Sequence, residues 1–313
     1  MLFHATATSA TSPGPAITST ESRSGGHSPA SMQARSVRKA LSWAAAALAG
    51  AVTAIAVMIT MTSGSAGAAT APRNWIGTGW NVHLTYQADP ATTKHFFNAA
   101  TSFGTGTAGA SSPVTDGFST SAVLYYSSYA QFQSDINSGA ITYPYKWVMY
   151  DPEGWANTPV AEQQNPAKYL GLFASLAHQH GYKVIETPAR DLGNVATTCP
   201  LNTQTGENLD QWYIRCKIAS AAAAADVFVV QDQVNTTNTA EYDWLFNQAR
   251  SQAVAANSAV QVDAEVSTNY GTADQMAAAA QSVPSASGFY LSTTSTGITQ
   301  TDQFLQKMQA AGY

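Results

Sequence analysis

Two carboxylic acids at the end of an apolar run are the residues of this sequence best suited to chemistry. The segment Lys146–Trp155 reads KWVMYDPEGW, so Asp151 and Glu153 follow an apolar and aromatic run at a spacing of two. Side chains at that spacing on an extended strand share a face, and two like charges so near raise the pKa of one of them. One acid then keeps its proton beside an ionised neighbour, which is the pair of groups that cleavage of a glycosidic bond requires.

Further acids lie at similar borders between apolar runs and loops. A charge partly buried at such a border costs several kcal/mol unless it is paired or used in chemistry. Each could instead be a solvated loop acid, a helix cap or a salt-bridge partner. We nevertheless expect catalytic candidates that line one pocket, and they are Asp151, Glu153, Glu186, Asp232, Asp263 and Glu265.

Aromatic and polar residues at the same borders could bind a sugar. Aromatic rings stack on the C–H face of a pyranose, and fixed amides and charged groups bond to its hydroxyls. Any one aromatic residue could also serve only in packing. The candidate substrate-binding residues are Tyr126, Tyr150, Trp155, Arg190, Gln231 and Tyr290.

These residues need elements that bring strand ends together. From Ala122 onward, short β-branched and aromatic runs alternate with longer helical stretches, which is typical of parallel βα units. The predicted strands are 122–127, 146–151, 183–187, 227–232, 259–265 and 288–292. The predicted helices lie near 129–138, 161–180, 208–225, 239–256, 271–282 and 300–311.

The region before Ala122 is less regular. Asn74–Trp80 could be the first strand and Ala91–Ala100 its helix, while the Gly/Ser/Thr-rich Thr101–Ser121 reads as a long loop around a poorly marked strand. Residues 69–313 match the roughly 250 residues of one (β/α)8 barrel. We therefore predict an α/β protein with a single TIM-type barrel domain, and an irregular or incomplete N-terminal part is the alternative. In such barrels the active site lies at the carboxyl ends of the strands.

The first 68 residues do not belong to this barrel. Residues 1–31 are rich in Ser, Thr, Ala, Gly and Pro, which predicts a disordered segment or an extension ahead of the true start at Met32. Residues 32–68 combine a basic start, a long apolar run and small residues, which predicts a signal peptide cleaved after Ala68. The apolar run is also long enough for an uncleaved signal anchor. The two interpretations predict secretion or the outer face of the cytoplasmic membrane, and a membrane is a partner only through such an anchor.

The charge and cysteine content of the sequence limit which partners and cofactors we expect. From residue 73 onward there are ten Lys and Arg against eighteen Asp and Glu, so we expect no nucleic-acid partner. Cys199 and Cys216 are the two cysteines, and in an exported chain they predict a disulfide. We expect a monomer with no cofactor and no metal, calcium being the one metal that carboxylates without histidine would suit.

The segment Tyr150–Trp155, followed by Thr158-Pro159, Glu162-Gln163 and Pro166, resembles a group of uncharacterised secreted bacterial proteins that look like barrel domains of the glycoside-hydrolase superfamily. The resemblance covers most of residues 74–313 and is specific only around 146–166. It implies the barrel fold more strongly than a reaction.

Two functions remain open from the sequence. The first is an extracellular glycoside hydrolase acting on a polysaccharide or glycan through paired carboxylates at the mouth of the barrel. The second is a barrel that binds a glycan or cell wall without cleaving it, because a fold does not fix an activity.

Overall fold

Eight parallel strands close into a barrel in the computed structural model, which describes residues 73–107 and 117–313. Each strand pairs with the next, and β8 pairs with β1 in register Trp75 to Phe289, so the sheet has no free edge. The strands are β1 Asn74–Thr78, β2 Ser102–Thr107, β3 Ser121–Tyr126, β4 Trp147–Tyr150, β5 Lys183–Glu186, β6 Val227–Val230, β7 Gln261–Ser267 and β8 Gly288–Ser292. The predicted (β/α)8 barrel is confirmed.

Helices surround the barrel. They are α1 Gly79–Ala88, α2 Pro90–Phe97, α3 Tyr129–Ser138, α4 Val160–Gln164, α5 Pro166–Gln179, α6 Leu209–Arg215, α7 Ile218–Ala222, α8 Thr239–Ala256, α9 Ala273–Ser282 and α10 Ile298–Ala310. None of the helices in the described ranges is both long and apolar enough to cross a bilayer. The predicted extension 1–31 and the predicted signal segment 32–68 lie outside the described residues.

The N-terminal part is more regular than the sequence predicts. β1 ends at Thr78, two residues before the predicted end of the strand, because the Thr78 side chain accepts a hydrogen bond from the backbone of Asn81 and begins α1. The predicted loop Thr101–Ser121 contains β2. The strand is poorly marked in the sequence because it is rich in glycine and threonine. The barrel is therefore complete at its N-terminal side, because β2 joins β1 to β3.

Two predicted helices are each divided. The predicted helix 161–180 is broken at Asn165, where Pro166 begins α5, since proline donates no backbone hydrogen bond and starts helices well. The predicted helix 208–225 is broken at Lys217, which has a positive φ of 55°. The remaining predicted helices and strands agree with the structure to within a few residues.

Strand alternation separates two buried layers, and this separation decides which side chains reach the mouth. Residues such as Met149 and Ile185 point into the lumen of the barrel, where they form one apolar cluster. Their neighbours Val148 and Val184 point outward and pack against the helices in a larger cluster. Residues an even number of positions apart on a strand point to the same side, and we say that they have the same parity. The parity of a strand-end residue therefore decides whether its side chain lies in the mouth or in the helix layer.

The predicted disulfide is confirmed. Cys199 and Cys216 are bonded with their Cα atoms 6.0 Å apart, and the bond ties the loop after β5 to the end of α6. Arg215 reinforces the same loop through its guanidinium, which donates to the Pro200 carbonyl at 2.8 Å and pairs with Glu207 at 2.5 Å. A disulfide is typical of proteins that fold in an oxidising compartment.

Candidate active site

Asp151 is the acid that the barrel holds most firmly. It directly follows β4, and its side chain points into the lumen because its parity is that of Met149. One carboxylate oxygen accepts hydrogen bonds from the Thr187 hydroxyl and, at 2.6 Å, from Gln231 Nε2. The other accepts a bond from the Tyr125 hydroxyl at 3.0 Å. Donors from or next to β3, β5 and β6 thus converge on one carboxylate.

The environment of Asp151 sets its protonation by two opposed effects. Burial raises the pKa of Asp151 to about 6, while the bonds from Thr187, Tyr125 and Gln231 oppose the rise. Hydrogen bonds to an ionised carboxylate favour the charged form. Asp151 is therefore ionised at neutral pH, although it is only 5% exposed.

Glu153 is the second acid of the mouth and has the opposite preference. It lies in the loop between β4 and α4, partly exposed, with its backbone N–H donating to the Thr158 hydroxyl at 3.1 Å. Burial, with the nearby charges of Asp151 and Asp191, raises the pKa of Glu153 to about 8. Of the two acids, Glu153 therefore holds its proton to the higher pH.

Glu265 faces this pair from β7. Its neighbours Ala264 and Val266 belong to the outer layer, so Glu265 points into the lumen, where the Ser292 side chain opposes the rise of its pKa. Burial, then the charges of Asp151 and Glu153, holds its pKa well above the ordinary range.

Tyr290 completes this part of the mouth. After burial, the charges of Asp151, Glu265 and Glu153 raise the pKa of its hydroxyl. The structure therefore brings these three acids and Tyr290 into one electrostatically coupled group.

Glu186 and Asp232 lie in the helix layer, because their parity is that of Val184 and Val230. Neither Glu186 carboxylate oxygen has a hydrogen-bond partner, and burial holds the pKa of this acid well above its ordinary value. Asp232 accepts a bond from Asn235 at 2.7 Å. Burial, then the charges of Glu186 and Asp232, raises the pKa of Tyr213 on α6. Both side chains thus lie behind the sheet and not in the lumen, although the charge of Asp232 still contributes to the raised pKa of Glu265.

Asp263 points into the lumen two residues below Glu265, toward the amino ends of the strands. Asn74, the first residue of β1, donates to it at 3.2 Å and to Gln261 at 2.8 Å. Asn74 and Gln261 also line a cavity of about 430 Å³ at that opposite end of the barrel. Burial raises the pKa of Asp263 to about 7.

The predicted substrate-binding residues are also divided. Gln231 and Tyr290 lie in the mouth, and Trp155 lies on its rim, 39% exposed. Tyr126 and Tyr150 instead point outward into the helix layer.

The outward-pointing residues have structural partners. The Tyr126 hydroxyl donates to Asp135 at 3.0 Å, and the Tyr150 hydroxyl donates to Glu162 at 2.7 Å. Arg190 follows β5 and is engaged in an ion pair with the buried Asp210.

Two residues that support the site were not among the predicted site residues. Tyr125 and Thr187 both donate to Asp151, and each is one position from a residue that was chosen, Tyr126 and Glu186. A signal was present, since counting by twos from the apolar Val123 selects Tyr125 for the lumen. Among the described residues, no group of three or more His, Cys, Asp and Glu is placed to hold a metal ion.

Fold and site together define a parallel (β/α)8 barrel with a carboxylate-lined mouth. No protein-family model matches the chain, and no curated protein matches it in sequence. Among solved structures, it is similar to the BexX/CysO complex of Amycolatopsis orientalis, with a TM-score of 0.45 and 13% identity over 76% of this chain and 88% of that one.

The carboxyl transferase domain of Rhizobium etli pyruvate carboxylase is also similar in two structures. The structure with 3-bromopyruvate has a TM-score of 0.42 and 11% identity over 72% of this chain and 40% of that chain. The structure with 3-hydroxypyruvate has a TM-score of 0.41 and 8% identity over 77% of this chain and 47% of that chain. Likenesses this distant assign neither a family nor a chemistry.

Proposed function

We propose that this protein is an extracellular glycoside hydrolase that acts on a polysaccharide or glycan at the carboxyl ends of the barrel strands. The observation that carries the proposal is the Asp151 and Glu153 pair after β4, in which hydrogen bonds from Tyr125, Thr187 and Gln231 hold the Asp151 carboxylate while Glu153 is partly exposed beside it. The raised pKa of Glu153 supports it as the proton donor of the pair. A proton donor beside an ionised carboxylate is the arrangement used for cleaving glycosidic bonds. The position of the pair agrees with the active-site face of (β/α)8 enzymes.

Glu153 is the acid in this proposal, since it is the more exposed member and holds its proton at pH 7. It donates that proton to the glycosidic oxygen as the bond from that oxygen to the anomeric carbon breaks. A water molecule forms the new bond to the anomeric carbon and loses a proton to Asp151, whose negative charge stabilises the cationic transition state. Glu265 and Tyr290 close the opposite wall. Glu186, Asp232 and Asp263 have no part in this step because they lie outside the mouth.

An extracellular location is part of the proposal. The Cys199–Cys216 disulfide supports an oxidising compartment. The segment 32–68 would direct the chain there, either as a cleaved signal peptide or as an anchor. Secretion and a monomeric state stay predictions.

The alternative is a barrel that binds a glycan without cleaving it. One observation favours it, namely that hydrogen bonds from the protein already engage both carboxylate oxygens of the buried Asp151. In a binding protein those bonds would serve only to fix the mouth.

Substitution of the two acids separates these functions. The wild-type protein, Glu153→Gln and Asp151→Asn are incubated with a panel of soluble glucans, xylan, mannan and glycol chitin, and new reducing ends are counted. We expect wild-type activity on one of these polysaccharides and a loss of at least about 100-fold in kcat for each variant, since general acid catalysis alone contributes that much.

Asp243→Asn is the matched control, because Asp243 lies on α8 outside the mouth and accepts a hydrogen bond from Asn247 of the same helix. It should keep the wild-type rate. Equal activity of Glu153→Gln and wild type would remove Glu153 from the acid role. Binding without any reducing ends from the wild type would establish the binding protein instead.

A further inference from the structure

Exposed aromatic side chains stand on the rim of the mouth. Among the described residues, four large aromatic side chains are exposed, and three of them lie within five residues after the carboxyl end of a strand: Trp80 (58% exposed) in the first turn of α1 after β1, Trp155 (39%) after β4 and Tyr270 (45%) after β7. The fourth, Trp244 (38%), lies within α8. Single exposed apolar residues are ordinary, but their concentration on one rim is the mark of a binding surface.

The strand order places these rings on opposite sides of the acids. β8 lies between β7 and β1, so Tyr270 and Trp80 stand on one side of the mouth. β4 lies directly across the barrel from β8, so Trp155 stands on the other side. The coupled acids lie between the two sides, with Asp151 and Glu153 following β4 and Glu265 on β7. A ligand that touched all three rings would pass over the acids.

The charges of the mouth define the ligand further. Among the described residues that lie between the end of a strand and the next α-helix, Arg190 is the one lysine or arginine. Its guanidinium forms an ion pair with Asp210. Carboxylates predominate there, with Asp151, Glu153 and Asp191 coupled electrostatically. An anionic ligand would meet repulsion with no free cation to offset it.

We propose that the mouth binds an extended, uncharged polysaccharide chain, several sugar rings of which stack on Trp80, Tyr270 and Trp155 on both sides of the acids. Such binding selects internal bonds of a neutral glycan and excludes chains that carry uronate or sulfate. The proposal rests on the proposed function for its substrate class, while the binding itself requires no cleavage.

Binding is measured on the full chain with Glu153→Gln, so that no probe is consumed, and on the wild type in parallel. The probes are hydroxyethylcellulose, a soluble β-1,3-glucan, xylan, mannan and glycol chitin, together with the carboxymethylated derivative of each polysaccharide that binds. Affinity electrophoresis at low salt ranks these polysaccharides by how tightly they bind. Isothermal titration then compares a disaccharide and a hexasaccharide of the best-bound sugar.

We expect Trp80→Ala, Tyr270→Ala and Trp155→Ala each to weaken hexasaccharide binding about threefold to tenfold, the range of an aromatic contact. Disaccharide binding should change much less, because a short ligand cannot reach both sides of the mouth. Trp244→Ala is the matched control and should bind as the parent does. The carboxymethylated derivative should bind more weakly than its neutral parent.

Three outcomes would overturn the proposal: no binding of any neutral probe, equal binding by rim variants and parent, or tighter binding of the carboxymethylated chain. Failure of the hydrolase proposal would look different, with retained binding and no reducing ends from the wild type. Circular dichroism of each variant verifies folding, which exposed positions should not disturb.

Discussion

At the scale of single residues, the hydrogen bonds to Asp151 determine how the mouth can react. Burial raises the pKa of the Asp151 carboxylate, and hydrogen bonds from three neutral side chains oppose that rise. They keep Asp151 ionised beside Glu153, and they do so from elements far apart in sequence. Rate against pH should therefore be bell-shaped, with limbs near the pKa values of about 6 and about 8 of the pair.

Tyr125→Phe tests this control of protonation. Loss of the 3.0 Å bond removes a donor that lowers the pKa of Asp151. A hydrogen bond to a charged group contributes about 1.5–3 kcal/mol, so the acidic limb of kcat/KM should move upward by about one to two pH units. Tyr126→Phe is the control one residue away, because its hydroxyl bonds to Asp135 behind the sheet. It should leave both limbs in place, and an equal shift in the two variants would contradict the assignment.

At the scale of elements, Glu162 joins β4, α3 and α4. Its carboxylate accepts bonds from the backbone of Tyr129 at 2.7 Å and of Ala130 at 3.0 Å, two of the free donors at the start of α3. The Tyr150 hydroxyl of β4 donates to the same group at 2.7 Å. One side chain of α4 thereby fixes the outer face of β4, the strand that Asp151 directly follows.

Glu162→Gln should destabilise the protein by about 2–3 kcal/mol, because a buried amide cannot accept all of these bonds and one donor loses its partner. The free energy of unfolding in urea measures the loss. Glu241→Gln makes the same chemical change in the first turn of α8 and should stay within about 0.5 kcal/mol of wild type. Equal stability of Glu162→Gln and wild type would show that the bonds contribute little.

At the scale of the whole molecule, buried acids make stability depend on pH. The pKa is raised by burial for Glu186, Asp232 and Glu265, and also for Asp263 to about 7. Above pH 4.5 the unfolded chain releases these protons while the folded protein keeps them. The free energy of unfolding therefore falls as pH rises from 5 to 8.

Glu186→Gln isolates one of these protons. The free energy of unfolding of the variant should equal that of wild type near pH 5 and exceed it at pH 8. The slope of this free energy against pH should correspond to about one proton fewer released on unfolding. Glu207→Gln is the control, since the Arg215 partner lowers the pKa of Glu207, and its contribution is lost only at more acid pH. Urea unfolding at several pH values gives both slopes. A slope unchanged by Glu186→Gln would place the proton elsewhere.

The sequence by itself determined the fold class, the disulfide and the position of the acids at strand ends. Alternating apolar runs and helical stretches are local patterns that report burial directly, so strands such as 288–292 are predicted with the correct bounds. β2 and α1 are exceptions, because glycine-rich and polar residues form them only where neighbouring strands and a Thr78 cap support them.

Only the tertiary structure decided which acids meet. Parity and register are relations between strands, and a difference of one residue sends Glu186 behind the sheet while Thr187 faces Asp151. Depth in the barrel is a second such relation, and it separates Asp263 from Glu265 although both point inward. Barrel closure then brings Glu265 of β7 across from Asp151 and Glu153, a juxtaposition that more than a hundred intervening residues hide from the sequence.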